Sequence, residues 1–134
     1  MQCFQGKVVV ITGAGSGIGR ALATRLAQAG ARLALTDINE AGLAETMSLC
    51  MATEVRSYPV DVASREHVFT LAGQVQRDFG TTHYLFNNAG VALGATIEHA
   101  TLEEIEWIMN INLWGVIYGT KAFLPMMLAQ GEGH

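Results

Sequence analysis

Apolar residues alternate along the chain between short continuous runs and helical spacing. Val8-Val9-Val10-Ile11 is an uninterrupted β-branched run, the pattern of a strand buried on both faces. Ile18, Leu22 and Leu26 follow at spacing four and predict a helix, ended by Gly30 where a left-handed cap falls. Leu33-Ala34-Leu35-Thr36 predicts a second strand. Asn39 is placed to cap the next helix, on which Leu43, Met47 and Cys50 share a face. Val55 to Val60 predicts a third strand. Pro59 has no N–H to give to a ladder, which places that strand at a sheet edge. Ser64 is placed to cap the next helix, whose face is Val68, Leu71, Val75 and Phe79, closed by Gly80. Tyr84-Leu85-Phe86 predicts a fourth strand running into Asn87-Asn88-Ala89-Gly90. Thr101-Leu102-Glu103-Glu104 is a capping box, in which threonine and glutamate satisfy each other's backbone N–H groups. The helix it opens runs through Asn112 towards Gln130, with Pro125 implying a kink or one lost hydrogen bond.

The resulting β-α-β-α-β-α-β-α order predicts an α/β fold: a doubly wound parallel sheet with helices on both faces. At 134 residues the chain has the length of about one domain. Half its residues are hydrophobic and 15% are charged, which excludes a disordered tail. The net charge of −4 disfavours a nucleic-acid partner. Cys3 and Cys50 are too few for a disulfide framework. His67, His83, His99 and His134 are dispersed, so no metal cluster is expected. Met1 to Lys7 lacks the basic and apolar regions of a targeting segment. Ile111 to Ala129 is the one stretch resembling a membrane span. It contains Asn112, Lys121 and Pro125, and reads instead as a buried or interface helix. A cytoplasmic protein with no membrane partner is the expectation.

Candidate chemistry concentrates at Thr12-Gly13-Ala14-Gly15-Ser16-Gly17-Ile18-Gly19, between the first strand and the first helix. A helix N-terminus presents unpaired N–H groups and partial positive charge, which suits a phosphate. The glycines fit G-x-x-x-G-x-G rather than G-x-G-x-x-G, and no glycine-lysine pair closes a Walker A loop. The alternative is a tight turn with no ligand. Asp37 ends the second strand 18 residues after Gly19. A carboxylate there can accept hydrogen bonds from an adenosine ribose and repel a 2′-phosphate, or it can simply cap the loop. Ile38 follows it with no arginine beside it, which favours NAD over NADP. Asp61, in Val60-Asp61-Val62, either bonds an adenine amino group or turns the chain. Asn87-Asn88-Ala89-Gly90 lies at the carboxyl end of the fourth strand, where open parallel sheets bind ligands. Its alternative is an asparagine-glycine turn.

Together these residues resemble the short-chain dehydrogenase/reductase family. The matching pieces are Thr12-Gly13-x-x-x-Gly17-x-Gly19, Asp37, Asp61, Asn87-Asn88-Ala89-Gly90, and Asn112 within Asn110-Ile111-Asn112. The resemblance implies a Rossmann-like sheet of strand order 3-2-1-4, a nicotinamide cofactor, and a small alcohol or carbonyl substrate. The cofactor residues it marks are Thr12, Gly13, Gly15, Ser16, Gly17, Ile18, Gly19, Asp37, Ile38, Asp61, Val62, Asn88, Ala89 and Gly90. Asn112 matches the family's asparagine, which orders a proton-relay water. Val91 to Ala95 is expected near substrate. The family also implies a homo-oligomer when full length, with the apolar last helix in subunit contacts.

The family's catalytic serine and its tyrosine-x-x-x-lysine have no counterpart. Four residues after Tyr58, Tyr84 and Tyr118 stand Val62, Asn88 and Ala122. Tyr118 and Lys121, three apart, read as packing and surface charge. Residues 1–134 are therefore expected to be the N-terminal, cofactor-binding part of one Rossmann-like domain, inactive alone, with the later strands missing. Strand four is then expected to be an open edge. The alternatives are a non-catalytic dinucleotide-binding or regulatory module, and an S-adenosylmethionine-dependent transferase, against which Asn87 to Gly90 and the glycine spacing argue.

Overall fold

The computed structural model of the chain describes residues 4–50 and 53–134; Cys3 lies outside them. Four strands form one parallel sheet in the order β3-β2-β1-β4. They are β1 (Val8–Thr12), β2 (Arg32–Asp37), β3 (Val55–Pro59) and β4 (Tyr84–Phe86). Val10 pairs with Ala34 on one side and Leu85 on the other, and Ala34 pairs with Arg56. Among the described residues, α1 (Gly17–Gln28), α2 (Glu40–Leu49) and α3 (Arg65–Phe79) alternate with the strands, and α4 (Leu102–Met109) and α5 (Gly115–Gln130) follow β4.

The period of two along each strand divides the core into two layers. Val9, Ile11, Leu33 and Leu35 face one way and pack on Ala23 and Leu26 of α1 and Leu43 of α2. Val8, Val10 and Ala34 face the other way, onto Val68, Leu71 and Val75 of α3 and Phe123 and Met127 of α5. All of β1 is buried, as a central strand covered on both faces must be. β3 is an edge strand, and Pro59 ends it. The ladder continues one residue on, where the Val60 N–H donates to the Asp37 carbonyl at 3.0 Å.

The predicted caps form. Asn39 accepts from the Gly42 N–H and Ser64 from the His67 N–H. Gly80 takes the left-handed conformation at φ 80°, and Thr101 with Glu104 makes the full capping box.

Three expectations need correction. Ile18 does not share a buried face with Leu26: it is 79% exposed, and α1 sits on the sheet through Gly19, Ala23, Leu26 and Ala27. Ile18 lies in the first turn, beyond the end of β1, where no strand remains to cover it. The predicted helix from Thr101 to Gln130 is not uniform. Asn110–Trp114 forms a π-helical turn, while Pro125 lies within α5, which runs on to Gln130. The apolar last helix, read as buried or interface, buries Gly115, Gly119, Phe123 and Met127 and leaves Trp114, Leu124 and Leu128 exposed. The β4 edge is not fully open. The His134 N–H donates to the His83 carbonyl at 2.9 Å, and the Leu85 N–H donates to the His134 carbonyl at 3.0 Å, which covers the edge beside Tyr84. Tyr118 stacks on Trp114 and Lys121 is exposed. Among the described residues, no helix is long and apolar enough to cross a membrane.

Candidate cofactor-binding site

A cleft of about 380 Å³ opens at the carboxyl ends of the strands. It is lined by Gly13, Ser16, Gly17, Ile18 and Gly19 of the glycine-rich turn, by Asp37 and Ile38 after β2, and by Asp61 and Val62 after β3. Asn88, Ala89 and Gly90 after β4 complete it. Of the residues marked from sequence, Thr12 and Gly15 do not line the cleft but hold it from behind. The Thr12 hydroxyl accepts the Asn88 and Ala89 N–H groups, both at 3.0 Å. The Gly15 N–H donates to Asp37 Oδ2 at 2.9 Å. Val60, Val91 and Ile111 also line the cleft. Val91 opens the segment expected near substrate; for Val60 and Ile111 the only sequence signal is adjacency to Asp61 and Asn112.

The glycines are required where backbone meets backbone. Gly13 has φ +68°, and a Cβ on it would lie 2.8 Å from the Ala89 Cα. A Cβ on Gly19 would lie 2.1 Å from the Gly13 carbonyl oxygen. Asn88 binds the turn to β4: its Nδ2 donates to the carbonyls of Thr12 at 2.9 Å and Gly13 at 3.3 Å.

Ser16 precedes α1 in extended conformation, and its side chain makes no cap. The N–H groups of the first turn of α1 thus face the cleft without the usual side-chain acceptor, a ready place for an anion. Asp37 closes one wall. Its Oδ1 accepts from the Asn39 N–H at 2.9 Å, and its Oδ2 from Gly15. A carboxylate has about four acceptor sites, so two backbone bonds leave room for ligand hydroxyls. Asp61 Oδ1 accepts from the Ala63 N–H at 2.9 Å, which turns the chain out of β3. None of the lining residues is lysine or arginine. Ile18 and Ile38, 79% and 73% exposed, add apolar surface to the cleft.

Asn112 lies in the π-turn and does not itself line the cleft. It clamps a residue that does: the Val91 N–H donates to its Oδ1 at 2.9 Å, and its Nδ2 donates to the Val91 carbonyl at 2.8 Å. Single π-turns inside α-helices occur often at functional sites.

A parallel sheet in this order, with a glycine-rich turn and an acid at the carboxyl ends of its strands, is a Rossmann-like sheet. A sequence profile described as short chain dehydrogenase matches residues 7–134, and the chain belongs to the short-chain dehydrogenase/reductase family of oxidoreductases. "Putative oxidoreductase SadH" of Mycobacterium tuberculosis is 49% identical over 136 residues, which cover 100% of this chain and 49% of SadH. Human epidermal retinol dehydrogenase 2 is 39% identical over 132 residues, covering 96% of this chain and 43% of that protein. The crystal structure of a short chain dehydrogenase/reductase from Burkholderia phymatum in complex with NAD superposes with a TM-score of 0.93 at 42% identity. That match covers 96% of this chain and 47% of the other. The chain spans about half the length of the curated relatives it matches.

Proposed function

We propose that the chain binds NAD in the cleft and belongs to an oxidoreductase that moves hydride between the nicotinamide and a small alcohol or ketone. The observation that carries this reading is the uncapped N-terminus of α1 facing the cleft, with Asp37 bonded across to Gly15. The N–H groups from Ser16 to Gly19 hold the pyrophosphate. Asp37 accepts from the adenosine ribose, and Asp61 and Val62 border the adenine. Thr12, Gly13, Gly15, Asn88, Ala89 and Gly90 keep the wall in place. NAD is preferred over NADP because a 2′-phosphate would meet the Asp37 carboxylate, with no basic side chain lining the cleft to offset it.

When bound, the nicotinamide supplies a hydride acceptor or donor. Asn112 positions Val91, and Val91 to Ala95 border the substrate with apolar side chains. No tyrosine in these residues has a lysine four positions on. A general acid/base contributes about 10² to 10⁴-fold, so the chain alone is expected to show negligible dehydrogenase turnover. Turnover equal to that of an intact family member would overturn that expectation. The exposed apolar surface of α4 and α5 around Trp107, Trp114 and Leu128 is the face for subunit contacts in a homo-oligomer. A monomeric mass for the full-length protein across micromolar concentrations would remove this assignment.

Titration calorimetry with NAD and NADP tests the cofactor reading. Asp37→Ala should weaken NAD about tenfold or more, since it removes a charged acceptor, and should narrow the gap between NAD and NADP. Unchanged affinities for both would remove Asp37 from the site.

A further inference from the structure

Gly15 is gripped on two sides, and only one grip is accounted for by Asp37. Its carbonyl accepts from Arg20 Nη2 at 2.5 Å. Arg20 lies one turn into α1, and its Nε donates to Thr46 Oγ1 at 3.1 Å. That hydroxyl is fully buried, on the inner face of α2. It lies 2.8 Å from the Ala14 carbonyl and 3.0 Å from the Gly42 carbonyl. A hydroxyl has one proton. The bond from Arg20 occupies an acceptor site on it and leaves that proton for the closer oxygen, Ala14. α2 can come this near only because residue 42 is glycine: a Cβ there would lie 2.6 Å from the Gly15 carbonyl oxygen. Glu45 steadies the arginine from outside, 2.8 Å from Nη2.

The consequence follows from peptide planarity. In a trans peptide, the carbonyl of one residue and the N–H of the next point in opposite directions. Holding the Ala14 carbonyl on Thr46 turns the Gly15 N–H the other way, where it meets Asp37. Holding the Gly15 carbonyl on Arg20 turns the Ser16 N–H away from α2, and Ser16 lines the cleft.

We propose that Arg20 and Thr46 are positioning residues for the phosphates of the dinucleotide: their side chains draw the Gly15 and Ala14 carbonyls back from the cleft, so that the Ser16 N–H rather than the Gly15 oxygen faces a ligand. This rests on the dinucleotide reading above. Preorganised donors cost no rearrangement when the anion arrives. Neither residue touches the ligand, and their only link to the adenosine side of the site is the Gly15 N–H that Asp37 accepts.

The test compares ADP with adenosine, by calorimetry or ligand-observed NMR, on the wild-type protein and on Thr46→Val, Thr46→Ser and Arg20→Lys. Thr46→Val removes the hydroxyl at nearly constant volume. Arg20→Lys keeps the charge and loses the fork that reaches both partners. Both should weaken ADP by about tenfold, equivalent to about 1.4 kcal/mol, and adenosine clearly less. Thr46→Ser should restore ADP binding. Unchanged ADP affinity in Thr46→Val and Arg20→Lys overturns the proposal. So does an equal loss of ADP and adenosine, which would make the network a support of the fold alone. A wild-type protein that binds no ADP overturns the dinucleotide reading itself, and this inference with it.

Discussion

Gly19 and Gly73 are both helical glycines, yet alanine should move stability in opposite directions at the two. Propensity alone favours alanine over glycine in a helix by up to about 1 kcal/mol. At Gly73, within α3, an added Cβ meets nothing within 4 Å. Gly73→Ala should therefore stabilise the fold by about 0.5–1 kcal/mol. At Gly19 the Cβ would lie 2.1 Å from the Gly13 carbonyl oxygen and 2.7 Å from Asn88 Nδ2. An ordinary carbon–oxygen contact needs about 3.3 Å, so turn and helix must separate by about 1 Å. The obstacle is main chain and cannot rotate away. Overpacking of this kind costs about 1–3 kcal/mol. Separation also strains the Asn88 bonds to Thr12 and Gly13, worth about 0.5–1.5 kcal/mol each. Set against the propensity gain, Gly19→Ala should lose about 3 kcal/mol net. Urea unfolding reads both variants. The midpoint should fall for Gly19→Ala and rise for Gly73→Ala, with the denaturant slope unchanged. A Gly19→Ala protein as stable as wild type would refute the reasoning, since the close approach of turn to helix would then not be a constraint.

Two further outcomes follow from the core and from the amino ends of the strands. Phe123, 1% exposed, joins α5 to the layer under α3, and Phe123→Ala should cost about 3–5 kcal/mol in urea unfolding. A loss under about 1 kcal/mol would mean that α5 is not packed as described. His83 Nδ1 accepts the Val8 N–H at 3.0 Å, which only the neutral ring can do. Burial first, and then the Lys7 and Arg32 charges against the opposing pull of Glu132, hold its pKa below the usual histidine value. The folded pKa is depressed, so its stabilisation is complete above the unfolded value of about 6.5. It is lost as pH falls through that value towards the folded one. His83→Asn, which keeps an acceptor but cannot titrate, should flatten the decline of the urea midpoint in that window. An identical decline in wild type and variant would clear His83 of the effect.

Features governed by nearest neighbours were legible in the sequence. The caps at Asn39, Ser64 and Thr101 are contacts within three residues, and each forms as read. Pro59 marked an edge strand because a missing N–H is a local property with one consequence for pairing. Asp37, Asp61 and Asn88 were placed at the cleft because the sheet order brings strand ends together, and twelve of the residues marked for cofactor line it. What depends on distant partners was not legible. Spacing put Ile18 on the face of Leu26, but burial depends on whether a strand lies beneath, and β1 has ended there. Nothing in Asn110-Ile111-Asn112 announces a π-turn, and the group that Asn112 clamps is 21 residues away. Nothing in the spacing of Arg20 and Thr46, 26 residues apart, connects them. Their pairing appears only when α2 is laid against the turn.

In the last helix, apolar composition and burial part company. Counted by type, α5 is apolar nearly all round, and such helices are normally enclosed. Its buried positions are Gly115, Gly119, Phe123 and Met127, a single stripe at spacing four. Two of the four are glycines, and both have a partner that needs the space. A Cβ on Gly115 would lie 3.1 Å from Val62 Cγ2, and one on Gly119 would lie 2.3 Å from Asn87 Oδ1. The helix is thus anchored to the sheet by its smallest residues at the cleft end and by its largest towards Gln130. Close approach at Gly115 is also what brings the preceding π-turn, with Ile111 and Asn112, to the border of the cleft beside Val62 and Val91. The sequence needed for site geometry therefore sits on the inner stripe. The apolar residues outside it, Trp114, Leu124 and Leu128, are free of that duty and leave an exposed hydrophobic surface.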